Sequence, residues 1–284
     1  MTENELLIRP MQPEELNLML DWAANEGWNP GLNDARCYYQ ADPKGFLLGL
    51  VGGEPVATIS VVRYSDNLGF LGFYIVKPEY RGRGYGMQIW NAGMAYLAGC
   101  NVALDGVVAQ QDNYARSGFR LAWNNVRYAG NVRHSEQLTP SSATKLGPAD
   151  LPELLEYDKA FFPDARPAFL AAWIEQRGGS ALAIREGGAL AGYGVVRPCR
   201  EGFKIGPLYA DSPELAATLF DDLQRAVPEG APIYLDLPDN NAAAVALARS
   251  AQMTPVFETA RMYTGTQPDL PLSRIYGVTS FEIG

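Results

Sequence analysis

Residues 76–86, Val-Lys-Pro-Glu-Tyr-Arg-Gly-Arg-Gly-Tyr-Gly, constrain the fold of this chain more than any other segment. The apolar, β-prone run 70–76 leads into them, and an amphipathic stretch at 87–98 follows. These patterns predict a strand, a glycine-rich turn and a helix in direct succession. The chain therefore places a tight turn between the carboxyl end of a strand and the start of a helix.

This turn has the composition of an anion-binding loop. Gly82, Gly84 and Gly86 allow positive φ angles and let the backbone come close to a ligand. Backbone N–H groups at a helix start, together with the helix dipole, favour an anionic group such as a pyrophosphate. Arg81 and Arg83 add positive charge beside that position. The sequence therefore predicts an anion site at the start of this helix.

Other glycine-rich motifs fit these residues less well. The dinucleotide-binding fingerprint needs Gly-x-Gly-x-x-Gly directly after the first strand of a βαβ unit, and the glycine spacing here differs. A P-loop needs Gly-Lys-Ser/Thr, which the segment lacks. RGG-type RNA-binding segments are usually disordered and repeated, whereas residues 81–84 stand alone between two predicted ordered elements. The plain alternative is a solvent-exposed turn that is rich in Gly and Arg.

The motif Arg81-x-x-Gly84-x-Gly86, after a strand that ends in Val76-x-Pro78, resembles the acetyl-CoA loop of the GCN5-related N-acetyltransferase (GNAT) family. The resemblance implies an α/β fold built on a mixed sheet. It also implies direct attack of an amine on the thioester of acetyl-CoA, which would be a co-substrate.

The resemblance further implies which residues contact acetyl-CoA. Backbone N–H groups of the loop would hold the pyrophosphate, and Tyr74 and Val76 would hydrogen-bond the pantetheine arm as a neighbouring strand does. The loop consists of Arg81, Gly82, Arg83, Gly84, Tyr85 and Gly86. An aromatic side chain that only packs within its strand is the alternative for Tyr74.

Tyr114 is the candidate general acid. It stands four residues before Gly118-Phe119, as the tyrosine of the family's Tyr-x-x-x-Gly-Phe pattern does. A phenol with a pKa of about 10 is a suitable proton donor to a departing thiolate. The family's Asn-x-x-Ala ahead of this tyrosine is replaced by Gln-Gln-Asp-Asn at 110–113, so we expect a different turn into this helix. A tyrosine that only packs on the sheet is the alternative.

No motif identifies the general base. Asp105 is the first candidate, because a carboxylate inside an otherwise apolar strand needs a reason to be buried. Glu26 is the second candidate, since it adjoins Trp28 in the helix break that lines the acceptor pocket in such proteins. A chain of water molecules is the third. A structural hydrogen bond to a neighbouring turn is the competing explanation for Asp105.

The order of predicted elements is repeated along the chain. Residues 6–129 give β-α-α-β-β-β-α-β-α-β, which is the order of the acetyltransferase fold, and residues 143–265 give the same order again. A repeat of this length indicates one supersecondary unit used twice. We therefore predict two tandem acyl-CoA N-acyltransferase-like domains, 1–132 and 143–284, joined by a polar linker at 131–142.

The second domain lacks the residues that would carry the chemistry. Where the first has its glycine loop, it has Ala-Asp-Ser-Pro at 210–213, and an acidic turn would repel a pyrophosphate. Ala248 stands where the first domain has Tyr114. We therefore predict a degenerate domain and one acetyl-CoA per chain. The apolar tail 275–283 is expected to pack near the acceptor cleft.

Composition limits the class of protein. The chain has 284 residues, of which 47% are hydrophobic and 19% charged, and a net charge of −9 that argues against general nucleic-acid binding. No apolar run approaches the ~20 residues of a membrane span, and the N-terminus has no basic signal-peptide region. One histidine and three scattered cysteines predict neither a zinc site nor a disulfide framework. A cytoplasmic location without a metal cofactor is expected.

These patterns together predict an acetyl-CoA-dependent N-acyltransferase. Its acceptor would be a small primary amine that attacks the thioester directly, and no nucleic acid or membrane partner is expected. A homodimer is an option that the sequence leaves open. The alternative function is a non-catalytic acyl-CoA-binding sensor, whose degenerate half would transmit occupancy to a partner.

Overall fold

The computed structural model describes residues 5–134 and 142–284. The strands in these ranges are β1 (Leu6–Pro10), β2 (Phe46–Val51), β3 (Glu54–Arg63), β4 (Leu68–Val76), β5 (Asn101–Val107), β6 (Arg120–Asn131), β7 (Thr144–Lys145), β8 (Ser180–Glu186), β9 (Ala189–Pro198), β10 (Phe203–Ala210), β11 (Pro232–Pro238), β12 (Thr254–Tyr263) and β13 (Ile275–Gly277). The α-helices are α1 (Leu16–Asn25), α2 (Asp34–Ala41), α3 (Tyr85–Tyr96), α4 (Gln111–Arg116), α5 (Leu151–Asp158), α6 (Pro167–Ile174), α7 (Pro213–Arg225) and α8 (Ala242–Ser250). The predicted element order is confirmed in both halves of the chain.

All the strands belong to one mixed sheet. Its order is β1-β2-β3-β4-β5-β12-β6-β11-β10-β9-β8-β7, with β13 pairing to β10 off this path. The pairs β4/β5 and β10/β11 are parallel, and the other pairs are antiparallel. The predicted α/β fold with a mixed sheet is therefore confirmed.

The closing strands of the two halves lie side by side at the centre of the sheet. β12, from the second half, pairs with both β5 and β6 of the first half. β6 in turn pairs with β11 of the second half. The two halves therefore share a continuous hydrogen-bonded ladder. Most of the predicted linker, residues 135–141, lies outside the described residues, and the division into two domains stays a prediction.

The hairpins follow from their glycine pairs. Gly52 and Gly53, between β2 and β3, have φ of 59° and 87°, and Gly187 and Gly188, between β8 and β9, have 59° and 88°. Two consecutive residues with positive φ form the tight hairpin turn that matches the twist of the flanking strands. The two turns that are similar in sequence are thus also similar in conformation.

The helices cover the sheet on both sides. One hydrophobic core lies under α1, α2, α5 and α6 and takes in the tail, while separate cores lie under α3 and under α7 and α8. Tyr38 of α2 stacks on Trp173 of α6 with ring centroids 6.0 Å apart, which joins the helices of the two halves. None of the described helices has the length and the apolarity to cross a membrane.

The C-terminal tail packs into this structure, as the sequence predicted. Ile275 and Ile283 are buried, and β13 extends the hydrogen bonding of β10. Beyond β13, Tyr64 donates a hydrogen bond to the carbonyl of Ile283 at 2.7 Å. The tail therefore runs from the second half of the chain to the first.

Candidate active site

The candidate site is a gap between β4 and β5. These parallel strands pair only from Leu68 to Leu71 and from Asn101 to Leu104, although β4 continues to Val76 and β5 to Val107. Beyond the paired part the two strands diverge and line a cavity of about 500 Å³. A divergence of this kind exposes strand edges, whose backbone groups can bind an extended ligand.

A bulge in β4 produces the divergence and opens the gap to both faces of the sheet. Phe73 and Tyr74 together stand opposite Ile59 of β3, and Phe73 has a φ of 46°. Phe73 packs under α1 and α2, with its ring 6.5 Å from that of Trp28. Tyr74 packs on the opposite face, with its ring 5.3 Å from that of Trp90 in α3. The cavity therefore passes through the sheet, because both side chains line it.

The predicted anion loop lies at the α3 side of this cavity. Gly82 and Gly84 have φ of 75° and 84°, and α3 begins directly afterwards at Tyr85, two residues earlier than the sequence pattern suggested. Gly84 occupies the N-cap position and has no side chain that could cap the helix. Gly86 faces Tyr74, since a Cβ at Gly86 would lie 2.7 Å from the tyrosine oxygen. The loop thus offers backbone N–H groups to the cavity.

The arginines of the loop have different surroundings. The Arg81 Nε donates to the carbonyl of Val76 at 2.9 Å, and its Nη2 donates to the Glu26 carboxylate at 2.6 Å. The Arg83 guanidinium lies over the Tyr80 ring at 5.1 Å. Arg81, Gly82, Gly84 and Gly86 line the cavity together with Tyr74 and Val76, whereas Arg83 and Tyr85 do not.

Tyr114 lines the gap from α4. Its ring stacks on Trp90 at 5.9 Å, and a Cβ at Gly106 of β5 would lie 2.3 Å from that ring, so only glycine leaves room for it. Burial raises the pKa of Tyr114 to about 12. A short 3-10 turn at Val108–Gln110 precedes α4, and no side chain caps that helix, in keeping with the changed sequence at this turn.

The two candidate bases are both bound by arginines. The Asp105 carboxylate accepts hydrogen bonds from Arg261 at 3.0 and 2.6 Å and from the Asn125 amide at 2.8 Å. Burial raises the pKa of Asp105, and the neighbouring Arg261 opposes that shift. Glu26 pairs with Arg81 and lines the same cavity, where its carboxylate is partly exposed. Both residues line the cavity and each has a guanidinium partner, but the Asp105 carboxylate is enclosed by Arg261 and Asn125 and has no exposed surface of its own.

Four cavity residues from the end of the chain were not among the predicted site residues. They are Phe257 and Thr259 of β12, which no prediction covered, and Phe281 and Glu282 of the tail, which was expected to pack near the acceptor cleft without either residue being singled out. Their place depends on the position of β12 beside β5 and on the route of the tail, which no local pattern encodes. The apolar, β-prone composition of the tail was the one signal that pointed to this region.

The corresponding gap of the second half is filled by the chain itself. The parallel pairing of β10 and β11 ends at Ile205 and Leu235, and β13 then pairs with β10 at Leu208 and Tyr209. The N–H of Val278 donates to the carbonyl of Asp236 at 2.8 Å, so the tail bridges both diverging strands. The tail therefore occupies the place that the cavity has in the first half.

The start of α7 is also closed to an anion. Ser212 caps the helix through a hydrogen bond from the Leu215 N–H to its hydroxyl at 3.3 Å. Asp211, in the preceding turn, accepts hydrogen bonds from Tyr157 and Arg274. Among residues 5–134 and 142–284, no group of three or more His, Cys, Asp or Glu side chains is arranged to hold a metal ion.

Comparisons with known proteins agree with these features. Residues 14–119 match the family model of the "Acetyltransferase (GNAT) family", and residues 154–277 match that of an "Acetyltransferase (GNAT) domain". The chain is 30% identical over 277 residues to "Holothin acyltransferase" of Pseudoalteromonas sp. (strain SANK 73390), covering 97% of this chain and 94% of that protein.

Solved structures share the fold over the whole chain. A putative acetyltransferase from Pyrococcus horikoshii superposes with a TM-score of 0.83 at 22% identity, over 98% of this chain and 96% of that one. A tandem GNAT protein from the clavulanic acid biosynthesis pathway superposes with a TM-score of 0.61 at 13% identity, over 93% of this chain and 100% of that one. At these identities the likeness concerns the fold.

Proposed function

The chain belongs to the GNAT acetyltransferase family and is an N-acyltransferase, and on that premise we propose that it transfers an acetyl group from acetyl-CoA to a small primary amine. One observation carries the proposal. The gap between β4 and β5 opens to both faces of the sheet, with the glycine loop and Tyr114 toward α3 and aromatic side chains toward α1 and α2. Such a passage lets two substrates meet from opposite faces.

The proposed acetyl-CoA contacts lie on the α3 side. Backbone N–H groups of the loop after Arg81, up to Gly86, would hold the pyrophosphate, aided by the helix dipole of α3. The N–H of Arg81 itself donates to the carbonyl of Pro78 at 3.2 Å. The diverging edge of β4, at Tyr74 and Val76, would hydrogen-bond the pantetheine arm. Arg81 supports this arrangement, because it ties the loop to the end of β4 at Val76.

Tyr114 is the proposed general acid. Its phenol lies in the gap, and a pKa of about 12 keeps it protonated at neutral pH, when a departing thiolate needs a proton. For the base we retain Asp105 and Glu26. Asp105→Asn and Glu26→Gln test them: in a variant that keeps the wild-type Tm, loss of kcat with unchanged acetyl-CoA affinity is expected for the group that accepts the proton. Tm is needed for Asp105→Asn, because this change leaves the buried Arg261 without its partner.

The acceptor is proposed from the relative's name. The Pseudoalteromonas protein is named for the acylation of holothin, so holothin is the first acceptor to test with this chain. A panel of simple primary amines completes the screen. Binding of acetyl-CoA without turnover of any amine would instead favour the non-catalytic sensor.

The cofactor site is tested by Gly84→Glu. A carboxylate at this position would occupy the space proposed for the pyrophosphate and repel it, so calorimetry should detect no acetyl-CoA binding. Gly53→Glu is the matched control, because Gly53 has a φ of 87° against 84° for Gly84 and equally open surroundings. The control carries the same backbone strain outside the site and should keep wild-type affinity. Unchanged binding by a folded Gly84→Glu variant would refute the loop assignment.

A further inference from the structure

Glu282 of the tail brings a carboxylate to the cavity without an ionic partner. The residue is 4% exposed and lines the cavity. Its Oε2 accepts a hydrogen bond from the Tyr38 hydroxyl at 3.2 Å. Within residues 5–134 and 142–284 no Lys or Arg lies within ion-pair distance of it, and its Oε1 accepts no hydrogen bond. A buried carboxylate with this much unused acceptor capacity is unusual.

A second polar group in the same cavity is also unpaired. The hydroxyl of Thr259 in β12 is buried, and none of the described residues forms a hydrogen bond with it. Thr259 stands opposite Val107 of β5, at the diverging end of the gap. Leaving a buried hydroxyl unpaired costs about 1–3 kcal/mol, which a ligand would recover once rotation of the Thr259 side chain turned its hydroxyl to the cavity surface.

Nearby charges explain how the unpaired carboxylate is tolerated. Arg127 and Lys204 share Asp236, at 2.6 and 3.8 Å, and Arg197 pairs with Asp34 at 2.9 Å. These pairs contain three cations and only two carboxylates. The negative charge of Glu282 therefore offsets the remaining positive charge of this group without direct contact. Its charge is thereby compensated while its hydrogen-bonding capacity stays available to a ligand.

The walls around these two groups are aromatic. The rings of Trp28 and Phe73 lie 6.5 Å apart, and those of Phe257 and Phe281 lie 6.3 Å apart. All four side chains line the cavity on the side of α1 and α2. A pocket of this kind favours a ligand with an apolar or aromatic body.

The tail is fixed on both sides of Glu282. Arg166 donates to the Thr279 hydroxyl at 3.0 Å, and Tyr64 donates to the carbonyl of Ile283 at 2.7 Å. Close packing adds to this, since a Cβ at Gly72 would lie 2.1 Å from the Glu282 carbonyl oxygen. The carboxylate is therefore held in place before any ligand arrives.

We propose that Glu282 and Thr259 form the acceptor subsite, in which the carboxylate receives the amino group of a compact amine with an aromatic body. The inference rests on the proposed function, in which an amine is the acceptor. It adds the side of the cavity on which the amine binds and the residues that bind the amine. Glu282 and Thr259 act as specificity-determining residues. The subsite selects a single amino group on an aromatic body.

The test measures equilibrium binding in the presence of CoA, so that no turnover is required. The probes are 2-phenylethylamine and 2-phenylethanol, which differ only in the polar group. The wild type should bind the amine about tenfold or more tightly than the alcohol, in line with a hydrogen bond to a charged group. Glu282→Gln should bring the two affinities close together and leave acetyl-CoA affinity unchanged. Glu258→Gln, an exposed neighbour of Thr259, is the matched control and should keep the preference.

A second variant tests the subsite independently, in case the Glu282→Gln protein does not fold. Thr259→Val removes the unpaired hydroxyl, so it should keep or raise Tm and yet weaken amine binding about three- to tenfold. Equal amine preference in the wild type and a folded Glu282→Gln, or unchanged affinity in Thr259→Val, would overturn the subsite. Butylamine that binds as tightly as 2-phenylethylamine would overturn the aromatic substrate class. Failure of the proposed function has a different signature, namely amine binding without acetyl transfer.

Discussion

Gly106 determines where the proposed acid can lie. A side chain at this position of β5 would collide with the Tyr114 ring, so the glycine lets the phenol approach β5, across the gap from the β4 edge along which acetyl-CoA is proposed to bind. Trp90 stacks on the same ring. Tyr114 is thus held by packing, and its hydroxyl is left for the cavity.

The first residue-scale prediction concerns this hydroxyl. Tyr114→Phe keeps the ring and its packing but removes the proton donor, so kcat should fall about 10²–10³-fold. Affinity for acetyl-CoA, measured by calorimetry, should stay within about twofold, because a ring of the same shape remains. A variant with wild-type kcat would show that Tyr114 only packs on the sheet.

The second residue-scale prediction concerns pH. Burial raises the pKa of Tyr114 to about 12, so the phenol loses its proton only well above neutral pH. The kcat profile of the wild type should therefore show no tyrosine-dependent fall between pH 8 and about pH 10, the pKa of an unperturbed tyrosine. A basic limb centred near pH 8 that vanishes in Tyr114→Phe would contradict this.

At the scale of elements, β6 and β12 join the two halves. Each lies beside strands of the other half. Three buried ion pairs also link a residue of one half to a residue of the other, namely Arg127–Asp236, Arg197–Asp34 and Arg261–Asp105. Removing one partner of such a pair leaves a buried charge and costs about 3–5 kcal/mol. Neither half can therefore keep its central strands and its buried charges alone.

A fragment experiment tests whether folding requires this strand exchange, in which β6 lies beside β11 of the second half and β12 lies beside β5 of the first. Residues 1–134 produced alone would lack β12 and β11, so β6 would have no neighbour and Arg127 no carboxylate. This fragment should show no cooperative thermal transition, while co-expression with residues 142–284 should restore a folded complex that binds acetyl-CoA. Calorimetry and size-exclusion chromatography measure both. A fragment 1–134 that melts cooperatively by itself would show that the exchanged strand is dispensable.

The strand exchange between the halves could not be predicted from the sequence. Period-two and period-3.6 patterns and glycine pairs identified the elements, because these signals are local, and the motif at 81–86 singled out the loop that is proposed to bind an anion. The closing strands contain similar runs, Arg-Tyr-Ala-Gly at 127–130 and Met-Tyr-Thr-Gly at 262–265, and nothing in either says which neighbour it takes. Thr259 was missed for this reason, and the prediction for the tail did not single out Glu282, since tertiary pairing alone brings both residues to the cavity.

At the scale of the whole molecule, the tail connects the two gaps. β13 fills the gap between β10 and β11, and four residues after β13 the chain reaches the cavity between β4 and β5 with Phe281 and Glu282. The divergent strands of the second half thus hold the segment that lines the proposed acceptor side of the cavity in the first half. The same divergence of two parallel strands thus forms a cavity in the first half and a binding place for the tail in the second.

The last prediction follows from this arrangement: one chain should bind one acetyl-CoA. In the second half the tail takes the place along the strands, and Ser212 caps α7 where a pyrophosphate would need free N–H groups. Calorimetric titration should give a stoichiometry of one, and Gly84→Glu should reduce it to zero because no second site remains. Gly53→Glu, strained in the same way but outside the site, should keep a stoichiometry of one. Two molecules bound per chain would mean that β13 leaves its gap in solution and that the second half retains a working site.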